Sequence, residues 1–235
     1  MNAKSILEEI RPLGLESYKK VMMNHGVREP FFGVKIEHLK KIQKRIKVDY
    51  QLALELYDTG NYDAMYLAGL IADDARMTKK DLERWVAKAY CGALVGSTVA
   101  WVAAGSPHGR AIAREWIDSP KELVASAGWA TLTSWVSITD DAELDLAELK
   151  GLLLRVQKEI HQAPDEVRTK MNGFVICVGC YVAELTKTAL QVGEKIGVVT
   201  VDMGNTECKV PSVVEYIRKV EKRGTIGKKR ASAKC

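Results

Sequence analysis

Thr59-Gly-Asn-Tyr-Asp-Ala-Met-Tyr-Leu-Ala-Gly69 is the stretch on which the fold turns. Thr59-Gly60 is a break, Asn61 is a residue type that caps helices, and an apolar run follows with a glycine eight residues in. The same order recurs twice. Asp118-Ser119 precedes Pro120 and Gly128, and Ala163-Pro164 precedes Asp165 and Gly173. An amphipathic segment stands in front of each break. Proline costs nothing at a helix start, where its missing N–H has no intrahelical partner anyway. A helix, a break and a second helix with a small residue at fixed depth is the unit of an α-solenoid, the small residue letting the next helix approach.

The rest of the chain reads the same way. Ile36, Leu39, Ile42 and Ile46 fall on one helix face. Thr78-x-x-Asp81 resembles a capping box. Only residues 198–201, Val-Val-Thr-Val, look strand-like, and they are too few for a sheet. The expectation is an all-α superhelix of about five or six stacked antiparallel helix pairs over residues 1–223, with a basic C-terminal tail over 224–235. The 235 residues suffice for one core. No apolar stretch reaches the roughly 20 residues of a membrane span, so no membrane partner is expected. Acids in the N-terminal MNAKSILEEIRPLG predict no export signal. With five cysteines and no secreted look, they suggest a reducing cytoplasm.

Charge is unevenly spread. The net charge is +5, yet residues 218–235 hold eight basic side chains and one acid, which leaves the remainder net acidic. A second cluster comprises Lys35, Lys40, Lys41, Lys44, Arg45 and Lys47, opposed by Glu37 alone. Basic clusters on a near-neutral body suit a polyanion, nucleic acid first. A solvated helix face and a free tail are the plainer alternative.

Few motifs carry chemistry. Cys177-Val-Gly-Cys180 has metal-ligand spacing, and Cys208, Cys235 or His161 would have to complete the site. The two cysteines lie mid-helix among Phe174, Val175, Ile176, Val178 and Val182, away from a helix start that would activate a thiol. Buried structural thiols are therefore expected, with no metal and no cofactor. Residues 224–229 lack the spacing of a phosphate loop. His25, His38, His108 and His161 are scattered. Trp85, Trp101, Trp116, Trp129 and Trp135 crowd the middle of the chain, as core fillers or as faces on which bases stack.

Three stretches together resemble the DNA alkylation repair family, the HEAT-like-repeat alkylpurine glycosylases. They are Phe31-Phe-Gly-Val-Lys-Ile-Glu-His-Leu-Lys-Lys-Ile42, the hairpin from Leu52 to Asp74, and Ala163-Pro-Asp-Glu-Val-Arg-Thr-Lys-Met-Asn-Gly-Phe174. The likeness spans roughly residues 20–185. It implies a C-shaped HEAT-like solenoid with a basic concave face on DNA, duplex or damaged. Aromatics would hold a cationic alkylated purine, and an acid would stabilise the sugar cation as the base leaves. Phe174 falls at an aromatic lesion-contact position and Lys170 at a nearby basic one. The stretch that should carry the acid, Ala93 to Val102, has none. Ser126 stands near the place of a phosphate-binding arginine.

The expected contacts are Trp101, Trp129 and Phe174 for a base. Lys170, Arg110, Arg114, Lys40, Lys44, Lys228, Lys229 and Arg230 are expected on phosphates. Asp63 is the substitute acid if the chain excises alkylated purines. Two further readings stay open: a non-catalytic binder of unusual DNA structures, and a scaffold for a protein partner. Cations gathered on the concave helices would favour DNA; an apolar or mixed groove would favour a peptide.

Overall fold

A computed structural model describes residues 1–202 and 209–234. After α1 (Ala3–Ile10), α2 (Glu16–Asn24) and α3 (Ile36–Ile46), helices alternate between two layers. The outer layer holds α4 (Tyr50–Asp58), α6 (Lys79–Lys88), α8 (Gly109–Trp116), α10 (Leu146–Glu159) and α12 (Thr186–Ile196). The inner layer holds α5 (Tyr62–Ile71), a π-helical stretch (Leu94–Val99) that runs into α7 (Ala100–Gly105), then α9 (Glu122–Ile138), α11 (Asp165–Tyr181) and α13 (Val213–Lys222). Neighbouring inner helices pack on each other, α9 on α7 and α11, and α11 on α13. Among the described residues there is no strand. Residues 198–201 form no ladder, and the Val198 side chain is exposed.

Local chemistry sets the layers. Asn61 caps α5, its Oδ1 accepting from the Ala64 N–H at 3.1 Å. Thr78 and Asp81 form the expected capping box at the start of α6. Every residue of α5 is buried, as befits a helix enclosed on all sides, whereas α3 buries only Leu39 and Ile42. Tyr57 stacks on Trp85 at 4.1 Å and donates its hydroxyl to the Trp85 carbonyl at 2.8 Å, joining α4 to α6.

The three marker glycines divide. A Cβ on Gly69 would lie 2.8 Å from Thr98 Cγ2, and one on Gly128 would lie 2.6 Å from the Ile117 nitrogen. Both are close approaches that need glycine. Gly173 has nothing within 4 Å of such a Cβ, so the close-packing role expected for it is corrected.

The described part of the C-terminal tail is also corrected: it is packed against the stack. Gly224, at φ +67°, ends α13 in a Schellman turn, with Gly224 N–H bonded to Glu221 O and Thr225 N–H to Val220 O. The chain then runs along the C-terminal ends of the inner helices. Gly227 N–H meets Cys180 O at 2.9 Å, and Arg230 N–H meets Ser137 O at 2.8 Å. Lys229 Nζ donates to Val136 O at 3.0 Å and Lys234 Nζ to Ala72 O at 2.7 Å. Helix C-termini leave carbonyls unpaired and carry partial negative charge. A basic strap satisfies both. Lys229 also pairs with Asp141 and Lys234 with Asp74, at 2.8 and 2.7 Å, and Ala233 is buried.

Candidate nucleic-acid interface

A groove of about 710 Å³ opens on the inner face. The end of α2 (Met22, His25) bounds one side, and the strap residue Arg230 another. Its walls are the segment leading into and through the π-helical stretch, and the inner turns of α9 and α11. A π turn widens a helix locally and commonly marks a functional position.

Two pairs in matching register shape the floor. Glu166 and Lys170 stand one turn apart on α11, facing Gly92 and Gly96, also four residues apart. A Cβ at Gly96 would sit 2.9 Å from Lys170 Nζ, and one at Gly92 would overlap the Glu166 carboxylate. The glycines therefore make room for a carboxylate and an ammonium lying across the groove. The Lys170 side chain has no hydrogen-bond or ion-pair partner among the described residues. Trp101 lines the groove with its ring set edge-on against Tyr66 at 5.7 Å.

The other expected contacts lie elsewhere. Trp129 and Phe174 are fully buried and pack edge-to-face at 5.3 Å in the core between α9 and α11, so neither reaches a base. Arg110 and Arg114 project from outer helix α8 onto Glu148 of α10, Arg114 Nε at 2.7 Å from Oε1. Arg110 also reaches Asp145 at 3.4 Å and lies over the Trp135 ring. Drawing these guanidiniums onto phosphate would leave the largely buried Glu148 carboxylate unpaired, which is costly. They are corrected to ties between outer helices.

Asp63 is corrected as well. Its carboxylate is buried and accepts the N–H groups of Phe32, Gly33 and Val34 at 2.6, 3.2 and 2.9 Å. Burial raises its pKa, and the three N–H bonds oppose that rise. Its role is to pin the loop before α3. Lys229 is held by Val136 and Asp141 and is not free for phosphate. Lys40 and Lys44 lie on α3, outside the groove lining. Lys228 is exposed, and Arg230 lines the groove.

Cys177 and Cys180 are buried on α11, and Cys177 Sγ donates to Thr133 O at 3.0 Å. Burial pushes the Cys180 thiol up to about 11 and the Cys177 thiol above its ordinary value too. His161 Nε2 bonds Ile196 O. Among the described residues no three His, Cys, Asp or Glu side chains cluster to hold a metal. Cys208 and Cys235 lie outside the described residues. No single described helix is long and apolar enough to cross a membrane.

Sequence reasoning missed Glu166, Gly92 and Gly96. The spacing of four shared by the glycines and by Glu166 and Lys170 was visible, but not that the two pairs face each other.

Comparison with known proteins fits this geometry. Residues 6–195 match the model of a family described as DNA alkylation repair enzyme. Uncharacterized proteins of Listeria innocua and Listeria monocytogenes are each 30% identical over 220 residues, covering 92% of this chain and 95% of theirs. One solved structure is similar over the whole of both chains, with 35% identity and a TM-score of 0.92. It is described as belonging to a new family of proteins related to the HEAT-like repeat DNA glycosylases with affinity for branched DNA structures.

Proposed function

The chain belongs to the DNA alkylation repair enzyme family, and from that premise we propose that it is a DNA-binding protein whose inner groove holds branched DNA without excising a base. The observation that carries this reading is the structural relative with affinity for branched DNA, matched end to end at 35% identity. The groove supports it. Lys170 and Arg230 reach into it, against one carboxylate among the described lining residues, that of Glu166, so the charge of the described lining favours phosphate over an apolar peptide. The acid that excision calls for has no counterpart between Ala93 and Val102, and Asp63 is tied to the backbone. The lysines of α3, the exposed Lys41 and Lys44 and the half-buried Lys40, add non-specific attraction for phosphate. The reading puts the protein in the cytoplasm, with the DNA.

The test is fluorescence anisotropy with a four-way junction and a linear duplex of the same sequence, beside an assay for free 7-methylguanine. The expected result is tighter binding of the junction and no base release. A second reading rests on Glu166, the carboxylate among the described residues of the groove. Release of 7-methylguanine that disappears in Glu166→Gln would make this chain a glycosylase and displace the first reading.

A further inference from the structure

Beyond Arg230 and Gly173 the groove continues into a second hollow of about 390 Å³, and both residues line both spaces. Gly173 keeps the passage open, since no side chain fills it.

The hollow's chemistry is distinctive. Arg223, Lys228 and Arg230 line it, with no carboxylate among the described lining residues. The side chains of Arg223 and Lys228 have no partner among the described residues, and the Arg230 guanidinium has only the Ala233 carbonyl at 3.4 Å. Hydroxyls of Ser134 and Thr225 line it too. Tyr181 and Tyr216 supply aromatic faces, and Ile176 and Val220 an apolar floor. The Tyr216 ring is half exposed.

The wall that carries Lys228 is preorganised. Gly227 holds φ +78° and bonds Cys180 O, and Lys229 is anchored on Val136 O. Lys228 lies between two fixed points and remains exposed. Arg223 caps α13 just before the Schellman turn.

Cations beside aromatic and apolar side chains in one hollow match a phosphate joined to a flat, stackable body. The volume lies within the roughly 300–1,000 Å³ of small-ligand sites. We infer that this hollow binds one nucleoside monophosphate unit, with the phosphate on Arg223, Lys228 and Arg230 and the base against Tyr216. The inference deepens the DNA reading and rests on it. A paired base is hidden in the duplex stack, so the unit in question is an unpaired nucleotide at a branch point. A free mononucleotide presents the same chemistry.

The experiment compares two three-way junctions with identical arms, one fully paired and one with two unpaired thymidines at the branch. Free dTMP and inorganic phosphate serve as competitors. Intact protein should bind the unpaired junction roughly tenfold more tightly, the scale of one base–aromatic stack. Arg223→Ala/Lys228→Ala should bring the two affinities together. Tyr216→Ala should do so too, while Tyr216→Phe retains the preference. Saturable dTMP binding that the double substitution abolishes, without a junction preference, would support the site and assign it to free nucleotide. The inference falls if intact protein neither distinguishes the junctions nor binds dTMP, if the preference survives the double substitution, or if inorganic phosphate competes as well as dTMP. A failure of the branched-DNA reading looks different: both junctions would then bind no better than linear duplex.

Discussion

Residues 35–47 and 218–234 read alike in the sequence, as basic segments with one acid each, yet the fold treats the lysines of α3 and the strap's Lys229 and Lys234 oppositely. On α3 and at its two caps the side chains of Lys35, Lys40, Lys41, Lys44 and Lys47 have no partner among the described residues; of the lysines and arginines there, Arg45 is paired, with Glu9. In the strap, Lys229 and Lys234 close the C-terminal ends of α9 and α5 and neutralise Asp141 and Asp74. Positive charge near a helix C-terminus is stabilising, and a lysine on a solvated face is not. Net charge counts both equally. What separates them is whether a carbonyl end lies within reach.

Removing the strap is the strongest way to break this contrast. Deleting residues 224–235 strips Lys234 from Asp74, whose carboxyl burial already pushes up from 3.8 and which Lys234 holds down. Asp74 is only partly buried, so the loss is smaller than the roughly 3–5 kcal/mol of a fully buried pair, yet with the Lys229 and Lys234 caps gone too thermal denaturation should show a clear fall in Tm. The pH dependence has a definite sign. Without Lys234 the Asp74 pKa rises further, and a raised pKa contributes stability that is lost as pH climbs through it. The deficit should therefore be small near pH 4 and widen towards neutrality. An unchanged Tm would return the strap to the status of a loose tail.

Next in size are the glycines. Gly128→Leu should destabilise by about 1–3 kcal/mol through overpacking against Ile117. Gly173→Ala, with open space around it, should instead gain about 0.5–1 kcal/mol of helix propensity. Equal losses at the two positions would refute the division between packing glycine and groove glycine.

A double substitution on α3, Lys40→Ala/Lys44→Ala, sharpens the comparison from the other side. Tm should not move. The slope of log affinity against log salt should become shallower by up to about 1.8, roughly 0.9 for each phosphate that is no longer neutralised. Lys229→Ala should do the reverse, lowering Tm and leaving the slope alone. The smallest expected effect is that of a chelator. Cys177 donates to a carbonyl and both thiols are buried, so EDTA should leave Tm where it was. A drop would mean a bound metal.

The solenoid was legible because its signals are local. Asn61, the Thr78–Asp81 box and the repeated breaks act within a turn of themselves, and the structure uses each as a helix start. The groove was less legible because it depends on direction. Trp129 and Phe174 sit on helices that line the groove but turn into the core, since two large rings bury more surface against each other than in an open groove. Arg110 and Arg114 belong to the outer layer, which sequence spacing does not distinguish from the inner. The strap had a readable cue in Arg223-Gly224, a C-cap followed by a glycine, but its partners lie as far away as Ala72. Lys170 was expected from the family resemblance, and the structure sets it in the groove lining.

Lys170 is the proposed hold of the inner groove on branched DNA. The direct measurement is salt-titrated anisotropy of intact protein and Lys170→Ala on a four-way junction and on linear duplex. Intact protein should prefer the junction. Lys170→Ala should weaken that binding, with a slope shallower by about 0.9, at unchanged Tm. Equal affinity for junction and duplex, or a Lys170→Ala protein indistinguishable from the original, would contradict it.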